Sequence, residues 1–313
     1  MSKNVLVTGA AGFIGSHLVE ALLARGDRVV GLDNRELELA RAHAGYRWVQ
    51  GDIRKASDVE QALREDTFDT VVHLAARAGV RPSLIDPAGY CDTNVRGTAL
   101  LLDAAGRARV GHFVFASSSS VYGARDGAPF RESDAVDDPA SPYAATKRAG
   151  ELLARAFHHL NGTPMTCLRF FTVYGPRQRP DMAIHRFTRL IDEGRPVEIY
   201  GDGGSQRDYT YVHDVVDGLL RTVDRPSGYR VYNLGTSQAV PLHRLVELIG
   251  ASLGRTPHVV KSPAQPGDVP LTCADLSLAR SELGYEPVTG IEDGIAKFAA
   301  WYREETAWLA SSR

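Results

Sequence analysis

The sequence predicts an α/β protein with a doubly wound parallel sheet, followed by a smaller C-terminal α/β domain. In the first half, short apolar runs rich in β-branched residues alternate with longer helical patterns, which is typical of βαβ units covered by helices on both faces. Beyond Phe171, Gly and Pro residues interrupt shorter elements, which favours a loop-rich second layer on a finished sheet. We therefore expect one domain over residues 1–171 and a second over 172–313, with the segment around 206–236 returning to the first.

Six strands are predicted, each from an apolar run bounded by turn residues. They cover residues 4–8, 28–33, 46–51, 70–74, 112–117 and 164–170. Helical spacing of apolar residues predicts helices over 13–25, 57–64, 93–108 and 142–160 between these strands, and over 185–193, 213–223, 242–253 and 291–303 in the second half. Leu153, Phe157 and Leu160 share one face of the helix over 142–160, and core packing alone explains this stripe.

The composition excludes several functional classes. The 313 residues include 36 Lys and Arg against 38 Asp and Glu, for a formal net charge of -2, so no basic excess is available for binding nucleic acid. Cys91, Cys167 and Cys273 lie far apart and form no CxxC pair, which favours a reducing compartment, the cytoplasm, over a disulfide framework. The histidines show no metal-ligand spacing, and no leader pattern or apolar stretch of membrane-spanning length is found, so we expect no metal and no membrane segment.

A glycine-rich turn follows the first predicted strand and opens the first helix. Residues 8–16 read TGAAGFIGS, with Gly9, Gly12 and Gly15 in the turn and with Phe13 and Ile14 starting the helix. Such a turn lets the backbone approach a pyrophosphate, whose charge is held by the N–H groups of the helix. Glycines also serve simply to pack a helix closely on a strand. If the turn holds a dinucleotide, the predicted sheet is of the Rossmann type.

Residues at the ends of the next strands favour a dinucleotide. Asp33 ends the second strand, where a carboxylate accepts hydrogen bonds from an adenosine ribose and disfavours a 2′-phosphate, so NAD is favoured over NADP. Two alternatives stay open, because Asp33 could be only a turn residue and Arg35 leaves room for NADP. Asp52 could reach adenine, and small side chains after the fourth strand would let a cofactor lie against the backbone. The expected cofactor contacts beyond the glycine turn are Asp33, Asn34, Asp52, Ile53, Leu74, Ala75, Ala76, Asn94, Ser117, Tyr143, Lys147 and Phe170.

Tyr143 and Lys147 stand four residues apart on a predicted helix, after a serine run that ends the fifth strand. This spacing places both on one helical face, where an ammonium group near the phenol would lower a tyrosine pKa that is normally about 10. The hydroxyl of Ser118 could hydrogen-bond the same substrate oxygen. In isolation the two residues could equally be a solvent-facing pair, but their order after the glycine turn and Asp33 favours a catalytic role.

Together these motifs resemble the extended short-chain dehydrogenase/reductase family. The matching segments are TGxxGxxG at 8–15, HLAA at 73–76, SSSSVYG at 117–123 and YxxxK at 143–147, and the resemblance covers essentially the whole chain. The segments RDY at 207–209, NLG at 233–235 and PGD at 266–268 are similar to the nucleotide-sugar branch. The resemblance implies NAD as cofactor, a C-terminal substrate-binding domain and a homodimer. It also implies a UDP-sugar substrate whose phosphates Arg207 holds and whose uridine ribose lies near Asp268.

The serine run favours an epimerase within this branch. Ser119 and Ser120 stand where the 4,6-dehydratases carry an Asp and a Glu, and the UDP-xylose-forming decarboxylases usually keep a glutamate at the position of Ser120. Dehydration of a 4-keto sugar needs an acid and a base, and this run supplies neither. Epimerisation at C4 needs only removal and return of a hydride.

Two further segments, LRFFTVYGPRQRPDMA at 168–183 and AGVRPS at 78–83, are similar to UDP-glucuronate 4-epimerases. The resemblance implies that Thr172 and Arg179 hold the C6 carboxylate, which a guanidinium binds bidentately, although Arg177 or Arg179 could instead face solvent. The implied reaction converts UDP-glucuronate to UDP-galacturonate through a 4-keto intermediate. The alternatives are a UDP-glucose/UDP-galactose 4-epimerase and a non-catalytic NAD-binding sensor. The implied substrate contacts are Arg81, Ser118, Ser119, Thr172, Arg179, Met182, Ala183, Arg207, Gln265 and Asp268.

Overall fold

A computed structural model of the chain describes residues 2–37, 40, 42–64, 66–125, 127–201, 203–263 and 269–311. In chain order its main strands and helices are β1 (Asn4–Thr8), α1 (Phe13–Ala24), β2 (Arg28–Asp33), β3 (Tyr46–Gln50), α2 (Ala56–Leu63), β4 (Thr70–His73), α3 (Val80–Ile85), α4 (Pro87–Cys91), α5 (Gly97–Arg107), β5 (Phe113–Ser118), α6 (Pro142–Asn161), β6 (Met165–Phe170), β7 (Thr172–Tyr174), α7 (Ala183–Asp192), β8 (Val197–Tyr200), β9 (Gln206–Tyr211), α8 (Val212–Asp224), β10 (Tyr229–Leu234), β11 (Ala239–Pro241), α9 (Leu242–Leu253), β12 (Val259–Ser262) and α10 (Ile291–Ser311).

The main sheet of the described residues has seven strands in the order β10-β6-β5-β4-β1-β2-β3, and every pairing in it is parallel. The order reverses between β1 and β4, which is the position where doubly wound sheets bind their ligands. The α/β prediction with a Rossmann-type sheet is confirmed. All six predicted strands are present, with bounds that differ by at most one residue.

Both faces of the sheet are buried, as the continuous apolar strands predict. In β1, Val5 and Val7 contact the core under α1 and α8, whereas Leu6 contacts the opposite core under α2, α5 and α6. Successive strand residues point to opposite faces, so a strand buried on both sides has no polar positions to alternate with. This explains why the first half reads as short apolar runs without a polar–apolar period.

The predicted helices are confirmed, but two bounds differ: α10 runs to Ser311 instead of ending at residue 303, and the start of α5 differs as follows. The segment predicted as a helix from residue 93 begins instead with a wider turn, Asp92–Arg96, before α5 continues regularly from Gly97. Helix propensity and the spacing of apolar residues do not distinguish this wider turn from a regular helix, because the chain continues in the same direction through both. It carries Asn94, whose side chain is discussed below.

The rest of the chain builds a second layer around its own core. β11, β9 and β7 form a three-stranded sheet, β12 pairs with β8, and α7, α9 and α10 cover them around a core that includes Tyr174, Phe187, Leu245 and Phe298. β10 pairs with β6 and α8 packs against α1. On these contacts we propose that α8 and β10 complete the first domain, while β9 belongs to the second.

Candidate active site

The glycine turn has the geometry of a pyrophosphate cradle. Gly9 has φ +70°, and a Cβ there would lie 2.7 Å from the backbone nitrogen of Ala75. A Cβ on Gly15 would collide with the carbonyl oxygen of Gly9, and one on Gly12 would lie 3.0 Å from the same atom. Gly12 is also the N-cap of α1, so this position adds no side chain over the first N–H groups of the helix. The turn therefore fits the phosphates of a dinucleotide.

Asp33 lies beside this turn at the end of β2. One carboxylate oxygen accepts the N–H of Ala11 at 3.0 Å, and the other accepts the N–H of Arg35 at 3.0 Å. These two bonds fix the carboxylate next to the cradle and leave further lone pairs for ribose hydroxyls. Asn34 follows directly, and the arrangement fits the adenosine ribose of NAD.

The carboxylate of Asp52, the predicted adenine contact, is already bound by an arginine side chain. Arg54 binds the carboxylate of Asp52 with distances of 3.0 and 2.6 Å and lowers the pKa of that carboxyl. Ile53 packs on Gly97 of α5, since a Cβ on that glycine would lie 2.9 Å from Ile53 Cδ1. Asp52 therefore stays ionised, with one face already paired.

A buried histidine ties the cofactor side of the sheet to α5. His73 at the end of β4 contacts Thr8 Oγ1 through Nδ1 at 2.7 Å and Thr98 Oγ1 through Nε2 at 3.0 Å. Thr98 donates its own proton to the carbonyl of Asn94, so Nε2 carries the imidazole proton and Nδ1 accepts. Burial, helped by the charge of Lys147, lowers the pKa of His73 to about 3. The loop that follows, Leu74 with Ala75 and Ala76, thus leaves the sheet from a fixed point.

The side chains of Asn94 and Ser117, two predicted cofactor contacts, are hydrogen-bonded within the protein. The amide of Asn94 is buried and bonded to the backbone of Arg77 at 2.8 and 2.9 Å and to Thr146 Oγ1 at 3.0 Å. The Ser117 hydroxyl is buried and donates to Glu151 at 2.6 Å. These bonds fix the chain at this edge of the sheet, and the contacts of Asn94 and Ser117 with the cofactor stay a prediction.

Phe13, Ile14 and Phe170, the remaining predicted cofactor contacts, lie around the same strand ends. Phe13 and Ile14 begin α1 and are partly buried against the core. Phe170 ends β6 and is almost fully buried.

The proton-transfer residues meet where β5 ends and α6 begins. Ser141 caps α6 by accepting the N–H of Ala144 at 3.2 Å, and the backbone N–H of Tyr143 donates to Ser83 Oγ at 3.1 Å. A hydrogen bond between the side chains of Ser118 and Tyr143 lowers the tyrosine pKa. Of the four serines in the run, Ser118 is therefore the one that lies against the phenol.

The predicted effect of Lys147 on Tyr143 is wrong for this geometry. Burial raises the pKa of Tyr143 above its usual value, and Lys147 is not among the groups that lower it. The ammonium group donates to the carbonyl of Ala116 at 2.7 Å and lies 6.0 Å from the phenol ring centroid. Burial also lowers the pKa of Lys147 to about 8. Desolvation dominates both groups, so the phenol is protonated near neutral pH.

Sequence reasoning missed a buried ion pair behind the serine run. Glu151, one helical turn beyond Lys147, accepts two bonds from Arg169 of β6 at 2.8 and 2.9 Å. Ser117 and Arg169 are register partners on β5 and β6, and both contact the same carboxylate. The position of Glu151 four residues after Lys147 was the only available signal, and the partner is a strand residue that the helix pattern cannot reveal.

Arg179 and Arg177 have opposite environments. Arg179 binds Asp181 with both arms of its fork, at 2.9 and 2.8 Å, and its charge lowers the pKa of Tyr143. Arg177 has φ +64° and points to α1, where it binds Glu20 at 2.5 Å. Of the two candidate loop arginines, Arg179 is the one that acts on the phenol.

The other predicted substrate contacts lie on the second layer. Thr172 is partly buried at the start of β7 and pairs with Tyr209, and the guanidinium of Arg81 lies 4.8 Å over the ring of Tyr200. Arg207 of β9 is partly buried and donates to the carbonyl of Gln206 at 2.9 Å. Met182 is the N-cap of α7 and Ala183 its first residue, while Ser119 is partly buried after β5. Gln265 and Asp268 lie outside the described residues.

The chain belongs to the NAD dependent epimerase/dehydratase family, whose model matches residues 5–235. The resemblance to extended short-chain dehydrogenases/reductases is thereby confirmed. UDP-glucuronate 4-epimerase 1 of Arabidopsis thaliana is 43% identical, over 96% of this chain and 76% of that protein. The solved structure of MoeE5 in complex with UDP-glucuronic acid and NAD is 44% identical, with a TM-score of 0.90 over 96% of this chain and 99% of that one. UDP-glucuronic acid 4-epimerase from Bacillus cereus, solved with UDP-glucuronic acid and NAD, is 34% identical, with a TM-score of 0.91 over 96% and 99% of the two chains.

Within the described part of the chain, the structure contains no helix of the length and apolarity needed to cross a bilayer.

Proposed function

We propose that the protein is a NAD-dependent UDP-sugar 4-epimerase that interconverts UDP-glucuronate and UDP-galacturonate. The observation that carries this proposal is the place of Arg179 beside Tyr143. The Arg179 guanidinium and the Tyr90 hydroxyl both donate to the carbonyl of Ala78, at 3.4 and 3.0 Å, and the ring of Tyr90 packs edge-on against that of Tyr143 at 6.3 Å. A cation at that place suits a C6 carboxylate, because C6 is bonded to C5, the ring carbon next to the reacting C4. The similarity to UDP-glucuronate 4-epimerases over nearly the whole chain supports the same substrate.

The chain's own residues divide the proton chemistry at C4. The glycine turn, Asp33 and the loop after β4 would hold NAD, which when bound would supply the acceptor and the donor of the C4 hydride. Tyr143 takes the proton of the C4 hydroxyl and later gives it back to the keto oxygen. Its phenol is protonated near neutral pH, which suits the second half of the cycle. The hydrogen bond between Ser118 and Tyr143 and the charge of Arg179 both lower the pKa of the phenol, which assists the first half.

The site has to fix the orientation of the C6 carboxylate as well as bind it. A 4-keto uronate is a β-keto acid, which loses carbon dioxide when its C5–carboxylate bond aligns with the carbonyl π system. We propose that Arg179 and Thr172 hold the carboxylate near the ring plane, where this alignment is absent. Between the two hydride transfers the sugar turns to present its other face, so a grip on C6 also has to follow that rotation.

The test is proton NMR of the purified protein with UDP-glucuronate and no added NAD. We expect the anomeric signal of UDP-galacturonate to appear, because a cofactor regenerated in every cycle can stay bound. A parallel sample with UDP-glucose shows whether the protein also epimerises a neutral sugar. Formation of UDP-galactose with no uronate turnover would keep the roles of Tyr143 and Ser118 and remove that of Arg179. No product from either sugar, even with added NAD, would overturn the proposed function and favour a non-catalytic sensor.

We also propose that the enzyme acts as a cytoplasmic homodimer. Leu84 and Ile85 of α3 are 50% and 86% exposed, and Leu152 of α6, the helix against which α3 packs, is 51% exposed. Exposed apolar side chains on two helices that pack together favour an interaction surface. The three cysteines, all among the described residues, are free thiols, which supports a reducing compartment. Sedimentation equilibrium giving the mass of one chain would contradict the dimer.

A further inference from the structure

The loop over residues 175–182, which carries Arg179, is attached to α1 by a histidine. His17 lies one turn into α1, and its Nε2 is 2.9 Å from the carbonyl oxygen of Pro176. Arg177 lies along the same ring, with its Nη2 2.6 Å from His17 Nδ1 and its Nε 3.3 Å from His17 Nε2. The carbonyl of Pro176 only accepts, so Nε2 carries the proton, and Nδ1 accepts at the shorter of the two guanidinium contacts. Both ring nitrogens are therefore used to hold this one loop.

The surroundings of His17 keep it neutral and in one orientation. Its side chain is 6% exposed, and Phe13 and His213 pack edge-on against the ring at centroid distances of 6.0 and 5.2 Å. Burial lowers the pKa of His17 to about 4, and the neighbouring charge of Arg177 acts in the same direction. Around neutral pH the ring therefore keeps the tautomer that fits both partners.

A second contact makes the attachment stiff. Arg177 also binds Glu20 of α1 through both terminal nitrogens, at 3.1 and 2.5 Å. The loop is thus joined to two successive turns of the helix, at His17 and at Glu20. This is the helix whose first turn fits the cofactor pyrophosphate, so the loop is fixed directly to the element that would position the cofactor.

We propose that His17 is a positioning residue that fixes the carboxylate-holding loop to the cofactor helix and so sets the place of Arg179 relative to Tyr143. This role rests on the proposed function, because it needs a C6 carboxylate for Arg179 to hold. The contact at Pro176 lies three residues before Arg179 in the chain, within a loop that also contacts Ala78 through the Arg179 guanidinium at 3.4 Å.

The role is specific to the C6 end of the substrate. Tyr143 and Lys147 lie on α6 and Ser118 ends β5, and in the described part of the chain no hydrogen bond joins His17 to any of them. Loss of the Pro176 contact would displace Arg179 and leave the proton-transfer residues in place. The consequences are weaker uronate binding and a less well held carboxylate, rather than a uniform loss of activity.

The test compares three substitutions of His17. Gln places an amide nitrogen where His Nε2 stands and can still donate to Pro176, whereas Asn is too short and Leu cannot donate. We expect His17→Leu and His17→Asn to raise KM for UDP-glucuronate about tenfold, the scale of one lost hydrogen bond with some misplacement. The fraction of decarboxylated product should rise in the same variants. His17→Gln should stay within about twofold of wild type in both measurements.

Matched measurements separate positioning from general damage. His159→Leu makes the same change at an exposed histidine in the last turn of α6 and should leave KM and the product ratio at wild-type values. Bound NAD, released by denaturation and measured by absorbance, should be unchanged in His17→Gln and His17→Asn. These two polar variants decide the question even where His17→Leu fails to fold, because they differ mainly in reach.

Each other outcome overturns the inference. Equal KM and equal product ratio in Gln and Asn variants would show that the Pro176 contact does not position Arg179. An equal fall of kcat on uronate and neutral sugars, or loss of bound NAD, would assign His17 to the stability of α1 alone. A wild-type protein inert on UDP-glucuronate would overturn the proposed function itself, whereas an active wild type with unaffected variants would overturn only the role of His17.

Discussion

Removing Arg169 while keeping Glu151 should destabilise the protein strongly. The side chain of Glu151 is 0% exposed and that of Arg169 is 3% exposed, and the pair is joined by bonds of 2.8 and 2.9 Å. Breaking a buried pair by deleting one partner costs about 3–5 kcal/mol, because the remaining charge stays buried without adequate compensation. In Arg169→Met, Glu151 would keep only Ser117 and the partly exposed Arg148 as partners.

The size of the effect on thermal stability follows from chain length. With an unfolding entropy of about 2.1 cal/mol/K per residue, the 313 residues give about 0.66 kcal/mol/K. A loss of about 3–5 kcal/mol therefore lowers Tm by about 5–8 °C. Far-UV circular dichroism melts of wild type and Arg169→Met at pH 7.5 measure this directly.

Two further variants locate the cause in the unpaired charge. Glu151→Leu combined with Arg169→Met removes both charges, and replacing a buried pair by apolar residues is often close to neutral, so the double variant should be more stable than Arg169→Met alone. Arg148→Met removes the 27% exposed partner of the same carboxylate and should cost less than about 1 kcal/mol. A Tm of Arg169→Met within 1 °C of wild type, or a double variant less stable than the single one, would refute the reasoning.

Three further predictions concern pH, cofactor and substrate. Burial lowers the pKa of His17 and His112 to about 4 and of His73 to about 3, so between pH 6.5 and 4 the unfolded chain binds more protons. The free energy of unfolding is therefore highest above pH 6.5 and falls on acidification, by up to about 4 kcal/mol per pH unit for three sites. Thermal melts at pH 7 and pH 5 that coincide would contradict this. Gly15→Ala forces a methyl group against the first glycine of the turn and should purify without NAD, so a full complement of bound cofactor would argue against the cradle. Arg179→Ala should raise KM for UDP-glucuronate by at least tenfold, the scale of a lost charged contact, and increase decarboxylation, and an unchanged product ratio would remove its role.

The first half of the fold was predictable because its signals are local. Strands buried on both faces read as short apolar runs, and the helices between them keep a 3.6-residue period, so bounds follow from the sequence within about one residue for the strands. The short strands of the second layer, such as β7 and β11 with three residues each, have no period to detect. Their formation depends on β9, which pairs with both and which lies more than 30 residues from the first of them.

The site was predictable in its residue types and less so in its electrostatics. The order of the glycine turn, Asp33, Ser118, Tyr143 and Lys147 identifies the chemistry, since each follows a strand end that the parallel sheet brings to one edge. The pKa of Tyr143 was not predictable, because the distance from Lys147 and the degree of burial depend on how α6 packs. Asn94 likewise has a polar side chain at the right edge, but the sequence cannot show that its amide is used up inside the protein.

The two loop arginines show why a substrate-selecting residue needs the structure. Arg177 and Arg179 are two residues apart in a proline-rich segment, and the same chemistry suits either for a carboxylate. The left-handed backbone of Arg177, at φ +64°, turns its side chain back to Glu20, and the chain then presents Arg179 on the side of Tyr143. Arg179 already holds the carboxylate of Asp181 with two bonds, so an arriving uronate has to share the guanidinium or displace Asp181. The preference for a uronate over a neutral sugar therefore depends on how well the C6 carboxylate competes with Asp181 for the guanidinium. That competition depends on where the loop holds Arg179, so the position of the loop matters more for selectivity than the presence of the charge.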